Sequence, residues 1–124
     1  MLPEPYKNAI IYEDEKTYAC LANEPIVEGH TVVVWKKKIS DLNLLQKKDY
    51  EYLMNRVNEI RRAMIKALNI EKVYLVYMDE IKQVHWHLVP SYDIKGYKNF
   101  MHKPGKIKDF LLDDKIRDCL ITKI

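Results

Sequence analysis

The stretch Gln83-Val84-His85-Trp86-His87-Leu88-Val89-Pro90 decides how this chain is read. Side chains alternate between the faces of a strand, so Gln83, His85, His87 and Val89 share one side. Val84, Trp86 and Leu88 share the other, which is expected to face a core, with Trp86 at the core or at a dimer interface. The two imidazoles then stand at successive places on an open, polar face, their Cα atoms about 7 Å apart at ~3.3 Å per residue. Three chemistries fit such a pair: plain surface histidines on an antiparallel sheet, two ligands of a zinc site, or a nucleophile with a neighbour that holds its charge and tautomer. His30, directly after Gly29, strengthens the last two. It can join the pair only if strand 83–90 lies beside strand 31–35. The remaining histidine, His102, falls in a poorly patterned tail.

Working outward, Thr31-Val32-Val33-Val34-Trp35 has almost no polar alternation and predicts a central strand covered on both faces. Ile10-Ile11-Tyr12, a polar turn at 13–16 and Thr17 to Ala22 predict a hairpin, with Cys20 as a small buried hydrophobe. Ser40 or Asp41 offers a helix cap. Tyr50, Leu53, Val57, Ile60, Met64 and Leu68 then step by three and four residues, the spacing of one buried helix face. Asn69 suits a left-handed stop. Val73 to Met78 returns to strand-forming residues. The order is β-β-β-α-β-β, and its short connections favour antiparallel neighbours: an α+β fold with one sheet and one long helix. Residues 92–124 are weakly patterned, broken at Pro104-Gly105, with a short helix expected near Asp113 to Leu120.

The chain of 124 residues suits one domain, 1–124, and shows no repeat or linker. At 48% apolar and 31% charged it has a soluble globular composition, and no apolar run approaches the ~20 residues of a membrane span. The start, Met-Leu-Pro-Glu-Pro-Tyr-Lys, lacks the pattern of a signal peptide. Cys20 and Cys119 lie too far apart for a disulfide scaffold or zinc ribbon, so a reducing cytoplasm is expected. With 21 basic against 18 acidic residues the net charge is only +3, too little for a dedicated nucleic-acid surface. Lys36-Lys37-Lys38 reads as a solvated strand end. Arginine is absent between Arg62 and Arg117, so phosphate chemistry in mid-chain falls to lysine, histidine or backbone donors.

The segment 84–90 resembles the signature of the histidine-triad family, His-φ-His-φ-His-φ-φ with φ apolar. The upstream blocks Ile11-Tyr12-Glu13-Asp14-Glu15, Pro25 and Gly29-His30-Thr31-Val32-Val33-Val34 are similar in order and spacing. The resemblance implies a five-stranded antiparallel sheet, usually in a homodimer, that binds a nucleotide. It implies cleavage at the α-phosphate of a nucleotide conjugate through a covalent nucleotidyl-histidine. His85 takes the nucleophile's place, His87 that of the phosphate or leaving-group contact, and His30 joins their cluster. The substrate class it points to is diadenosine polyphosphate. No tightly bound cofactor is implied, beyond Mg2+ carried in by a nucleotide.

Gln83 stands where the family has its first histidine, and an amide can donate to a phosphate oxygen but cannot titrate. Met78-Asp79-Glu80-Ile81-Lys82 replaces the Gly-rich phosphate loop, with Asp79 and Glu80 opposing a polyphosphate and Lys82 compensating. Ala22 takes the place of the ribose-binding residue, a role that passes to Asn23. Ser91 replaces an arginine, and Tyr6 and Leu21 map to the base pocket. These departures keep two alternatives open: a nucleotide-binding sensor with little turnover, and a zinc module of His30, His85 and His87.

Overall fold

Every residue of Thr31–Trp35 is buried, because this strand runs through the middle of the sheet with a layer on each face. The computed structural model describes residues 2–92, 105–107 and 111–120. Strands β1 (Ile10–Glu13), β2 (Thr17–Leu21), β3 (Thr31–Trp35), β4 (Lys72–Val76) and β5 (His85–Ser91) form one sheet in the order β1-β2-β3-β5-β4. All its pairings are antiparallel. Helix α1 (Lys47–Leu68) and short α2 (Leu112–Asp118) complete the α+β architecture, with single 3-10 turns at Lys7–Ala9 and Leu42–Leu44. His102 and Pro104 lie outside the described residues.

The odd-numbered positions of β2 and β3 (Ala19, Leu21, Val33, Trp35) face α1, together with Val84 and Leu88. Leu53, Val57, Ile60, Ala63 and Met64 form the helix's buried stripe. Each of the four larger side chains contributes roughly 1.5–3 kcal/mol by leaving water, and Ala63 less. The even positions Val32 and Val34 face the other way and make a smaller apolar floor with Ala22, Tyr18 and Leu2. That second face carries the site.

One of the two helix signals behaves differently from expectation. Asp41 caps the 3-10 turn, its carboxylate accepting from the Asn43 N–H at 3.0 Å, rather than α1. The long helix starts six residues later with no side-chain cap at Gln46, since tertiary burial of its stripe outweighs a cap worth about 1 kcal/mol. At the other end Asn69 adopts φ 53°, the expected left-handed stop.

Candidate active site

The pairing of β3 with β5 sets Val34 opposite His85 and Val32 opposite His87. His85, His87 and the even-numbered floor of β3 therefore share one face, and His30, one even step before Val32, joins them. The rings form a short line: His30 and His87 centroids are 5.1 Å apart, and His87 and His85 5.0 Å. They open on a cleft of about 530 Å³, floored by Tyr18, Cys20, Val32 and Val34 and walled by Leu2, Pro5, Tyr6 and Asn23.

The hydrogen bonds decide the tautomers. The backbone N–H of Ile26 donates to His30 Nδ1 at 3.1 Å, so that nitrogen carries a lone pair and the proton sits on Nε2. His30 Nε2 then donates to His87 Nδ1 at 3.0 Å, which leaves the His87 proton on Nε2. His85 Nδ1 lies 2.7 Å from the carbonyl oxygen of Gln83, and a carbonyl can only accept. His85 is thus protonated on Nδ1, and its Nε2 keeps a free lone pair.

Burial pushes the His30 pKa down to about 3, with repulsion from His87 adding to it. His87 is pushed down to about 4 by burial, then by His85. Both rings are neutral at pH 7, as the one-proton links between them require.

The face is not open, as the strand alternation alone suggests. His85 is 2% exposed and His30 3%, because the N-terminal segment and the 78–83 turn wall the cleft on both sides. Among the other residues singled out from the sequence, Tyr6 and Asn23 line it. The Asn23 amide donates to the Glu4 carbonyl at 3.0 Å, and its Oδ1 is buried without a partner among the described residues. Leu21 does not line the cleft: it lies on the odd side of β2, packed in the core beneath α1. Lys82 is exposed, outside the lining, and adopts φ 58° to close the turn. Gln83 is also absent from the lining. Its side-chain amide donates to the carbonyls of Trp35, at 3.1 Å, and Lys36, at 3.4 Å, while its own carbonyl orients His85.

The acidic turn splits. Asp79 faces inward, accepting from the Gln83 N–H and the Tyr77 hydroxyl, both at 3.1 Å. Glu80 lines the cleft. Trp86 is half-buried against the Tyr77 ring on the helix side of the sheet. Tyr18 and Cys20 are floor residues that sequence reasoning missed, although their even parity on β2 was a usable signal. Among the described residues no group of three or more His, Cys, Asp or Glu is arranged to hold a metal ion. Both nitrogens of His30 are already engaged.

Known proteins share this fold. The family model of the HIT domain matches residues 4–94. An uncharacterized HIT-like protein of Methanocaldococcus jannaschii is 26% identical over 117 residues, covering 88% of this chain and 86% of its own. The fold is shared with a hypothetical histidine triad nucleotide-binding protein of Sulfolobus tokodaii, with a TM-score of 0.75 at 23% identity over 90% of this chain and 82% of that one. It is shared too with the diadenosine triphosphate hydrolase of Plasmodium falciparum, at TM-score 0.71 and 16% identity over 95% and 78% of the two chains. The domain match spans the hairpin, the Gly29-His30 strand, the long helix and both histidines of β5, and the chain belongs to the histidine-triad (HIT) family.

Proposed function

We propose that this protein is a nucleotidyl hydrolase or transferase that cleaves adenosine 5′-phosphate conjugates through a covalent adenylyl-histidine at His85. The observation that carries the reading is the fixed tautomer of His85: the Gln83 carbonyl holds the proton on Nδ1 and leaves Nε2 to attack. The Nε2–P bond forms as the P–O bond to the leaving group breaks. The electron pair departs on that oxygen, which takes a proton from water. His87 Nε2–H hydrogen-bonds the phosphoryl and leaving oxygens, and His30 holds His87 in that tautomer. Water then attacks phosphorus and the P–N bond breaks, returning its pair to Nε2. AMP and a proton are released.

Asn23 Oδ1, buried and unpartnered among the described residues, suits a ribose hydroxyl as donor. Tyr6, Tyr18 and Cys20 border the space for the base. Leu21, Gln83 and Lys82 take no direct part. Diadenosine polyphosphates are one conjugate class of this kind, and the Plasmodium neighbour is named for acting on one. Two free cysteines, Cys20 and Cys119, suit a reducing, cytoplasmic setting. A homodimer is part of the proposal, joined at the outer strand β4 with its exposed Leu75.

The test is rapid quenching at alkaline pH with labelled diadenosine triphosphate, a condition under which a phosphoramidate bond survives. The expected result is an acid-labile adenylyl adduct on His85, absent in His85→Ala and slower to form in His87→Ala. An adduct persisting in His85→Ala overturns the assignment. A second reading, a sensor with little turnover, draws on the Gln83 amide being engaged with β3. It predicts AMP binding without any adduct.

A further inference from the structure

Glu80, an exposed residue, lines the cleft on the turn that leads directly into His85. The turn that carries it is tied at both ends. The Asp79 carboxylate bridges the Gln83 N–H and the Tyr77 hydroxyl, and the same hydroxyl accepts from the Leu42 N–H at 2.9 Å. Beyond it, the Val84 N–H donates to the Ile39 carbonyl at 3.0 Å. Among the described residues the charged side chains lining the cleft are Glu24 and Glu80, and neither lysine nor arginine lines it. Neutral His30 and His87 add no positive charge to offset them. Glu24 follows Asn23, at the ribose end, whereas Glu80 adjoins the phosphate end.

A polyphosphate chain brings several negative charges to this spot, and each meets like charge there, an effect that solvent and salt screen in part. A leaving group that ends in an ammonium meets an opposite charge instead. We infer that Glu80 selects the leaving group by charge, so that the cleft favours adenosine monophosphate esters whose leaving group is cationic over those whose leaving group is anionic. The inference rests on the proposed reaction at His85 and displaces diadenosine polyphosphates from first place among its conjugates.

Three adenosine 5′-phosphate phenyl esters test it, carrying a para ammoniomethyl, hydroxymethyl or carboxymethyl arm. The methylene insulates the ring from the charge, and intrinsic reactivity cancels when each ester is compared between wild type and variant. In wild type, kcat/KM for the cationic ester is expected to exceed that for the anionic ester roughly tenfold at low salt, with the gap narrowing at high salt. Glu80→Gln should remove most of the preference and Glu80→Lys should reverse it, with the neutral ester as internal reference.

Calorimetric Kd values for the same esters on His85→Ala, with and without Glu80→Gln, read the charge effect independently of chemistry. Turnover that depends on His85 but shows an arm preference indifferent to Glu80 overturns this inference and leaves the reaction standing. No turnover of any ester, with binding that still follows arm charge through Glu80, sinks the reaction and keeps the selectivity. Binding and turnover both indifferent to Glu80 overturn the inference.

Discussion

A single carbonyl oxygen, that of Gln83, determines which nitrogen of His85 is free to react, and a single N–H, that of Ile26, determines the tautomers of His30 and His87. Both are backbone groups, so the chemistry of three imidazoles is set by main-chain geometry. Protonation breaks this line, since a protonated His30 presents an N–H to the Ile26 N–H. Its folded pKa near 3 and that of His87 near 4 lie below the ~6.5 of a free imidazole. Between those values the unfolded chain binds protons that the folded one refuses, so stability is full above pH 6.5 and falls on acidification towards pH 4. Each histidine contributes a slope of about 1.4 kcal/mol per pH unit in that window. Urea unfolding from pH 7 to 4.5 should show this decline, and His30→Asn should reduce its slope by about one proton. An unchanged slope in the variant argues against a neutral, buried His30.

At the scale of elements, the hairpin β1–β2 is fastened to α1 chiefly through Asp14, with Lys16 of the same turn pairing with Asp49 at 3.8 Å. The Asp14 Oδ1 accepts from the N–H groups of Lys16 and Thr17, at 2.8 and 2.7 Å, closing the turn. Its Oδ2 accepts from the Tyr52 hydroxyl at 2.5 Å and the Tyr12 hydroxyl at 3.0 Å, and pairs with Arg56 at 3.3 Å. Arg56 in turn lies over the Tyr12 ring at 4.1 Å. Burial alone would raise the Asp14 pKa, but the donors from Tyr52, Thr17, Lys16 and Tyr12 together outweigh it and hold the carboxyl well below its usual range. This clasp positions β2, and with it the cleft floor at Tyr18 and Cys20. Asp14→Ala leaves the Tyr12 and Tyr52 hydroxyls without their acceptor and Arg56 with Glu59 as its remaining carboxylate, and should cost about 2 kcal/mol of stability by denaturant titration at pH 7. Because the folded pKa is depressed, the clasp's contribution is present above about pH 4 and lost below it, a window that begins where most of the histidine effect is already spent. The variant should therefore lose stability less steeply than wild type below pH 4.

The two edges of the sheet are treated differently in the whole molecule. At β1, Arg117 of α2 donates through Nε to the Ile11 carbonyl at 3.0 Å and through a terminal nitrogen to the Ile10 carbonyl, closing that side. At β4 the sheet ends among the described residues, and Leu75 is 41% exposed beside it. A terminal strand with an exposed apolar side chain can serve as a template for a second chain. The proposed dimer joins there, and sedimentation velocity at micromolar concentration should give twice the chain mass. Leu75→Glu should shift the boundary to the monomer while preserving the circular dichroism spectrum. A wild-type monomer removes the dimer from the proposal.

The residues alone determined the strand and helix order, because alternation on 83–90, the unbroken apolar run 31–35 and the three-and-four stepping of α1 are local patterns with local causes. They also determined which histidines could meet, since Gly29-His30 and His85-x-His87 close on each other once β3 and β5 pair. What they could not settle was which way each group points. Leu21 and Lys82 lie close in sequence to lining residues yet face elsewhere, Leu21 because its odd parity sends it beneath α1 and Lys82 because the turn closes around Asp79. Asp79 and Glu80 are adjacent acids with opposite fates, one consumed by backbone and hydroxyl donors and the other left in the cleft. The His85 tautomer depends on a carbonyl held in place by β5, and the depressed pKa values of His30 and His87 on burial by segments distant in sequence. Strand and helix period is written in neighbours along the chain; orientation, burial and proton position arise only when distant segments compete for the same donors and the same space.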